Sequence, residues 1–499
     1  MVISGDNKHI APYFGKRKEP AKGLNQLGLR NAAEQMFTTL LPGLNNVSRR
    51  IRYYSFYCWI ISHFYLGRET VVAAGFDPYI RRAEYLLALT NAIDQNIQGI
   101  PGIMKASDSI ASDEDQFSLD EDYWKNPGGI LPQYYGASLD ELGLAARVEG
   151  KSRLYNITRA TSFISGERLA EEFAVSVDTD GDRFLAAVSS GLVTREELKE
   201  LQCSFRMAGI VSSERERLLL AEMLVQVDNP QAAEAAGHRR ETIRYVLEYL
   251  SDGHTRLTAE GFARHMYGLY ASVPDTITAW GWCAYWLDDN WQYQLTIIFS
   301  DILRYLSGEL SPGVEDVVSA LADEILAGLG CDGDTSLGSF IDSLHDTECR
   351  GETSADAVAD LLLRYREAKE WTADAERRYA LMGVGYENFF TFVQTVGASL
   401  GKTVREFAEE TVRDVVYRHY RVSFSKMLQT GIASQKFSLE NGRLRFIDLW
   451  ETSHTAPRIE TLRGFLLDLG LVEAGQDADC LTETGVALLD TLTHGDRKT

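Results

Sequence analysis

Proline is scarce, with 11 in 499 residues. Because proline breaks helix interiors, its rarity leaves long stretches free to be helical. Six cysteines stand at 58, 203, 283, 331, 349 and 480, with no CxxC pair. That pattern excludes a disulfide framework and a paired-cysteine zinc site, and it suits reduced thiols in a cytoplasm. No run of about 20 apolar residues occurs, so no membrane span is expected. The opening MVISGDNKHIAPYFGKRK lacks the apolar core of a secretory signal. Catalytic motifs are scarce too: HExxH and GxxxxGK[ST] do not appear, GxGxxG and GxSxG occur once each as lone matches at Gly328–Gly333 and Gly397–Gly401, and no two of the nine histidines are three or four apart. Cys331-Asp332-Gly333-Asp334-Thr335 lacks the buried strand and spacing of a phosphotransfer DxD motif. Ser423–Lys426 fits SxxK only within a helical stretch. No cofactor and no metal are expected, and catalysis is left without a carrier.

Positive charge is also short, with 50 Lys and Arg against 72 Asp and Glu, a net charge of -22. A chain so acidic does not coat nucleic acid over its whole surface. The distribution is uneven, however. Residues 1–52 carry nine bases and three acids, and residues 413–445 carry seven bases and two acids. Residues 315–360 hold twelve acids and one base, and residues 107–122 hold seven acids and none. Local basic surfaces are therefore possible despite the total.

Helical spacing dominates. After Pro42-Gly43, the residues Asn45, Asn46 and Ser48 are suited to cap a helix running to about Leu66. It is apolar nearly all round, which predicts burial on most sides. Residues 78–97 read as a second helix and 107–122 as an acidic loop. Further helices are expected over 214–250, 262–310, 314–330, 354–380 and, longest, 403–430. Asn441-Gly442 is a hairpin signal within KFSLENGRLRF.

Two stretches share one plan. Residues 131–173 and 458–492 each run helix, Leu-Gly-Leu, strand-turn-strand, threonine, helix, with Leu142-Gly143-Leu144 and Thr158 in one and Leu469-Gly470-Leu471 and Thr482 in the other. The glycine suits a helix C-cap with positive φ. The plan resembles the second half of winged-helix modules. The first copy has a basic wing, with Arg147, Lys151, Arg153 and Arg159 against Glu149. The second has two arginines and seven acids, a charge that repels phosphate and points to a protein partner.

Two groups of cations are candidate anion sites. Arg49, Arg50 and Arg52 fall in the first turn of the expected aromatic helix, where the helix dipole disfavours cations. They need compensation, either from an external anion or from the chain's own carboxylates. Arg418, Arg421, Lys426, Lys436, Arg443 and Arg445 follow along the long helix and its hairpin and could track phosphates.

The residues Leu41-Pro42-Gly43, Arg49-Arg50, Arg52-Tyr53-Tyr54-Ser55-Phe56 and Trp59 resemble the N-terminal signature of uncharacterised bacterial proteins found among phage-defence and mobile-element genes. The resemblance implies a defence-type context and supplies no catalytic residue.

The expected protein is cytoplasmic, mainly α and multi-domain, with two small winged-helix-like modules. Its segments are a helical domain (1–125), a winged-helix-like module (126–180), a central helical domain (181–400), and the long helix, hairpin and second module (401–499). The expected function is that of a non-enzymatic subunit of a bacterial anti-phage complex, binding DNA or RNA and protein subunits such as an ATPase or nuclease. An alternative is an adaptor, since two such modules separated by helices resemble the plan of kleisins, which bridge ATPase heads of chromosome-organising complexes. Another is a nuclease whose acids come together only in the fold.

Overall fold

The computed structural model describes residues 25–47, 49–66, 73–94, 98–120, 122–150, 153–210, 213–229, 232–251, 256–270, 276–345 and 353–494. Residues 1–24 of the basic N-terminal segment, the expected cap Ser48, Lys151 of the first wing and Cys349 lie outside them. Helix makes up 64% of the described residues, so the mainly α expectation holds. Among the described residues no helix is long and apolar enough to cross a membrane. The chain forms two compact units, each assembled from separated stretches. One comprises residues 1–31, 287–376 and 386–454, and the other residues 32–286, 377–385 and 455–499. The expected consecutive segments are therefore interleaved, and residues 401–499 divide between the units.

The unit containing residues 32–286 is built around the aromatic helix Tyr53–Tyr65. Every residue from Tyr53 to Ile61 is buried, as an all-round apolar helix requires. It packs on the helix Gly166–Ser190, where Phe56 and Trp59 meet Phe173 and Phe184. The helix starts later than the capping pattern predicts. Its first N–H groups are met by tight backbone turns, Tyr54 N to Ile51 O at 3.0 Å among them. Asn45 is spent elsewhere, donating to Tyr134 O at 2.6 Å and to Ser138 Oγ at 3.1 Å. The second expected helix runs Ala73–Ala92, and it carries Glu84 into the core. Glu84 accepts from Tyr57 Oη, Tyr123 Oη and the N–H groups of Ile130 and Leu131, yet burial outweighs these donors and pushes its pKa up to about 7. The acidic stretch 107–122 is not all loop. It includes the end of a helix, Ile103–Ile110, and a strand, Gln116–Ser118, paired antiparallel with Leu192–Thr194.

The repeated plan is present at atomic detail in this same unit. One copy has helices Gly136–Glu141 and Gly166–Ser190 flanking the hairpin Ala145–Arg147/Tyr155–Ile157. The other has helices Ile459–Asp468 and Glu483–His494 flanking Val472–Ala474/Asp479–Leu481. Gly143 and Gly470 take φ of +72° and +64°, which lets each first helix end in the left-handed cap expected of glycine. Thr158 Oγ1 donates to Gly143 O at 2.6 Å and Thr482 Oγ1 to Gly470 O at 2.7 Å. Each hydroxyl then accepts an N–H of the closing helix, from Gly166 at 3.0 Å and Gly485 at 3.1 Å. A Cβ at Gly166 would stand 2.0 Å from Leu144 O, and one at Gly485 would stand 2.1 Å from Leu471 O. One threonine thus ties the cap, the hairpin and the next helix together. The second copy packs on the helix Ala233–Ser251 of its own unit.

The other unit is organised by the long helix Val404–Thr430, opened by a Thr403–Glu406 capping box. It packs on the helix Val314–Leu329. His419, buried at its middle, accepts the N–H of Lys436 at Nε2 (3.0 Å), with Nδ1 3.3 Å from Gln26 O. The hairpin Phe437–Glu440/Arg443–Phe446 turns at Asn441-Gly442, both with positive φ, as the sequence signal predicts.

Candidate functional site

Arg49, Arg50 and Arg52 do not converge on one external anion position. Arg52 is 1% exposed and is held inside by acceptors of its own chain. Its Nε donates to Glu216 Oε1 at 3.1 Å and one Nη to Glu216 Oε2 at 3.0 Å. The remaining donors meet Ser204 O, Arg206 O and Ser176 Oγ at 2.7–2.8 Å, and Ser55 Oγ completes Glu216 at 2.6 Å. A buried ion pair persists only when its donors and lone pairs are satisfied in this way. Arg50 donates to Asp468 Oδ1 at 2.7 Å and to Gln98 O at 2.9 Å. Arg49 is exposed and makes no hydrogen bond or ion pair among the described residues. The compensation required at this helix start is internal, and Arg52 is withdrawn from any surface.

Following the partners outward shows what the stretch from Pro42 to Arg52 holds. Glu141 and Asp468 occupy the same place in the two repeated units, directly before Leu-Gly-Leu. Glu141 Oε2 accepts the N–H of Gly43 at 2.6 Å, and Asp468 Oδ1 accepts Arg50. Thr461 Oγ1 donates to Asn45 O at 2.8 Å. Arg239, buried, donates to Leu224 O at 2.7 Å and to Pro42 O at 3.3 Å. The signature stretch is therefore a strap gripped by both copies of the repeated plan through equivalent carboxylates. Burial pushes Asp468 up to about 6, with Arg50 and the N–H of Gly209 pulling the other way. The shared acid before Leu-Gly-Leu was the signal for this role, visible in both copies and missed.

Several cations of the basic helix and hairpin are likewise engaged by the chain itself. Arg418 forms a two-pronged pair with Glu387 (2.7 and 2.9 Å) and reaches Asp414 at 3.1 Å. Arg413 pairs with Glu315 in the same manner. Lys426 donates to Asn25 O, and Arg443 to Ser311 O at 2.8 Å. Lys436 is 5% exposed, pairs with Asp448 at 2.8 Å and lies over the Trp450 ring. Arg421 is exposed and 3.6 Å from Asp414, and the exposed side chain of Arg445 makes no hydrogen bond or ion pair among the described residues. Of the row of phosphate-tracking cations expected here, Arg421, Arg443 and Arg445 stay exposed.

The second half of the long helix also leaves apolar side chains exposed among its polar ones. Tyr417, Phe424 and Leu428 are 40%, 41% and 70% exposed, and Ile432 just beyond the helix is 54% exposed. Counted with Arg421, the helical residues are spaced four, three and four apart, and the apolar ones alone seven and four, so they form one narrow seam. Beside the seam, a cleft of about 290 Å³ opens between this helix and Phe389–Ser399. Its floor is Trp291, Leu295, Phe392 and Phe407, and Glu387, Glu410, Asp414 and Arg418 line it as the charged members. Among the described residues no group of three His, Cys, Asp or Glu side chains stands close enough to hold a metal ion. No protein family, curated protein or solved structure matches the chain.

Proposed function

We propose that the chain is a non-enzymatic, partner-binding subunit whose partner protein docks on the outward face of the long helix Val404–Thr430. The observation that carries this reading is the exposed seam of Tyr417, Phe424 and Leu428. Exposed apolar side chains in a contiguous row mark interaction sites, whereas scattered ones do not. Spacing of three and four is what a facing helix covers. Arg421, within the seam, calls for an acid on that partner. The pairing of Arg418 and Lys436 with carboxylates of the chain supports a protein partner over DNA or RNA, because fewer cations remain for phosphates. An adaptor role of the kleisin type draws support from the two repeated units gripped by one strap. The anti-phage defence context rests on the resemblance of residues 41–59 alone, and a cytoplasmic site of action follows from that context.

The test is co-expression with the products of neighbouring genes, comparing the wild type with the double variant Phe424→Asp, Leu428→Asp. The expected result is an unchanged thermal midpoint for the isolated chain and loss of the complex. A complex that survives the double variant removes the seam from the reading. Metal-dependent cleavage of DNA or RNA by the purified chain would overturn the non-enzymatic part.

A further inference from the structure

The cleft between the helices Phe389–Ser399 and Val404–Thr430 lies within one unit and has a volume of about 290 Å³. Its floor is formed by Trp291, Leu295, Phe392 and Phe407, which are 3–8% exposed. Such a floor holds water poorly, because a bound water needs about two to four polar partners. The one polar atom among these four side chains is Trp291 Nε1, and it meets no acceptor among the described residues. On the walls, Thr395 and Thr411 donate to carbonyls of their own helices, at 3.0 Å to Thr391 O and at 2.8 Å to Phe407 O. The donor left over at the floor is therefore an indole N–H set in apolar surface, and burying it without an acceptor is costly.

The rim carries charge but no net sign. Arg418 bonds Glu387 at 2.7 and 2.9 Å and Asp414 at 3.1 Å. Lys402 bonds Glu410 at 2.7 Å, and Arg421 stands 3.6 Å from Asp414. Three carboxylates thus meet three cations. An ionic ligand gains a partner there only by displacing one already bonded, so the rim favours an uncharged occupant. Size narrows the choice further. An apolar cavity of about 150 Å³ holds benzene. This cleft has room for one ring with a polar substituent or for two fused rings, and it stands just below the range of small-molecule sites, roughly 300–1,000 Å³. The rings of Trp291 and Phe392, with centroids 6.2 Å apart, offer faces and edges on which another ring packs.

We propose that this cleft binds a small, uncharged aromatic compound bearing a carbonyl oxygen. Its ring rests on the floor, and its carbonyl accepts the N–H of Trp291. Tyr417, Phe424 and Leu428 are not among the lining residues, so the site stands or falls independently of the partner. A bound ring also bridges the helices Phe389–Ser399 and Val404–Thr430.

The experiment uses the purified full chain and benzamide, with benzoate and benzamidinium as charged isosteres and toluene as the ring without an acceptor. Affinities are read by saturation-transfer NMR. Benzamide should bind saturably, and both charged isosteres several-fold more weakly. Toluene should bind about 2- to 10-fold more weakly than benzamide, the worth of one hydrogen bond. Trp291→Phe keeps a ring on the floor and removes the N–H, so it should erase the preference for benzamide over toluene. Thr395→Trp alters an exposed wall position and should fill the cleft, abolishing binding of both. This second variant carries the test if Trp291→Phe does not fold. No saturable binding of benzamide, equal binding of a charged isostere, a preference that persists in Trp291→Phe, or binding that survives Thr395→Trp would each overturn the proposal.

Discussion

Two arginine groups, alike in sequence, end in opposite circumstances. Arg52 is 1% exposed, with its donors meeting Glu216, two carbonyls and a serine. Arg421 on the long helix is 66% exposed and stands 3.6 Å from Asp414. The first is a lock, since its removal strands a buried carboxylate. The second is a surface charge whose loss water and salt absorb. Local charge density, which looks the same in both stretches, therefore says little about what a cation holds. The acid that meets it decides, and Glu216 is 164 residues from Arg52 in the chain.

The largest expected effect tests that lock. Arg52→Met leaves Glu216 buried without its counter-ion and should cost about 3–5 kcal/mol of stability. Adding Glu216→Leu should restore much of the loss, because an apolar pair avoids the stranded charge. Denaturant unfolding of the two variants is the check. If Arg52→Met unfolds no more readily than Arg421→Ala, the contrast between lock and surface charge is wrong.

A second, comparable effect separates the two compact units by pH. His419 lies in one unit, and burial lowers its pKa from 6.5 to about 4. Its contribution is complete above pH 6.5 and is lost as pH falls through about 4. Glu84 lies in the other unit, and burial raises its pKa from 4.5 to about 7. Its contribution is complete below pH 4.5 and is lost as pH rises through about 7. Each amounts to about 3 kcal/mol by linkage. Asp468, raised to about 6, reinforces the trend set by Glu84. Amide protection in Val404–Thr430 should therefore fall from pH 7 to 4, while protection in Tyr53–Tyr65 rises. His419→Gln and Glu84→Gln should each flatten the trend in their own unit. Parallel trends in both helices would refute the assignment.

The repeated plan was legible because its parts are local. Leu-Gly-Leu, a threonine and a following glycine lie within some 25 residues, and backbone geometry dictates each choice. The Asn441-Gly442 turn and the capped helix Val404–Thr430 were legible on the same ground. The fate of the arginines was not. Glu216 and Asp468 are ordinary acids in sequence, and only the packing of the aromatic helix brings them to Arg52 and Arg50. The start of that helix was misplaced for the same reason: Asn45 finds distant partners, and backbone turns take over its capping role. The exposed seam was misread in kind. Tyr417, Phe424 and Leu428 are apolar residues of a helix whose Val404, Phe407 and Val415 are buried, yet they stand exposed.

The smallest expected effect sharpens the comparison from the surface end. Arg421 has one carboxylate nearby, Asp414, which already bonds Arg418 at 3.1 Å. Arg421→Ala should change stability by less than about 0.5 kcal/mol, since an exposed pair sharing its acid contributes little. The informative measurement is binding. A cation that tracks phosphates contributes about one unit to the slope of log affinity against log salt. A seam residue meeting an acid on a partner protein instead weakens that complex and leaves any nucleic-acid slope unchanged. A reduced slope for DNA or RNA, with the protein complex intact, would return the long helix to nucleic acid and leave Tyr417, Phe424 and Leu428 to flank a phosphate path.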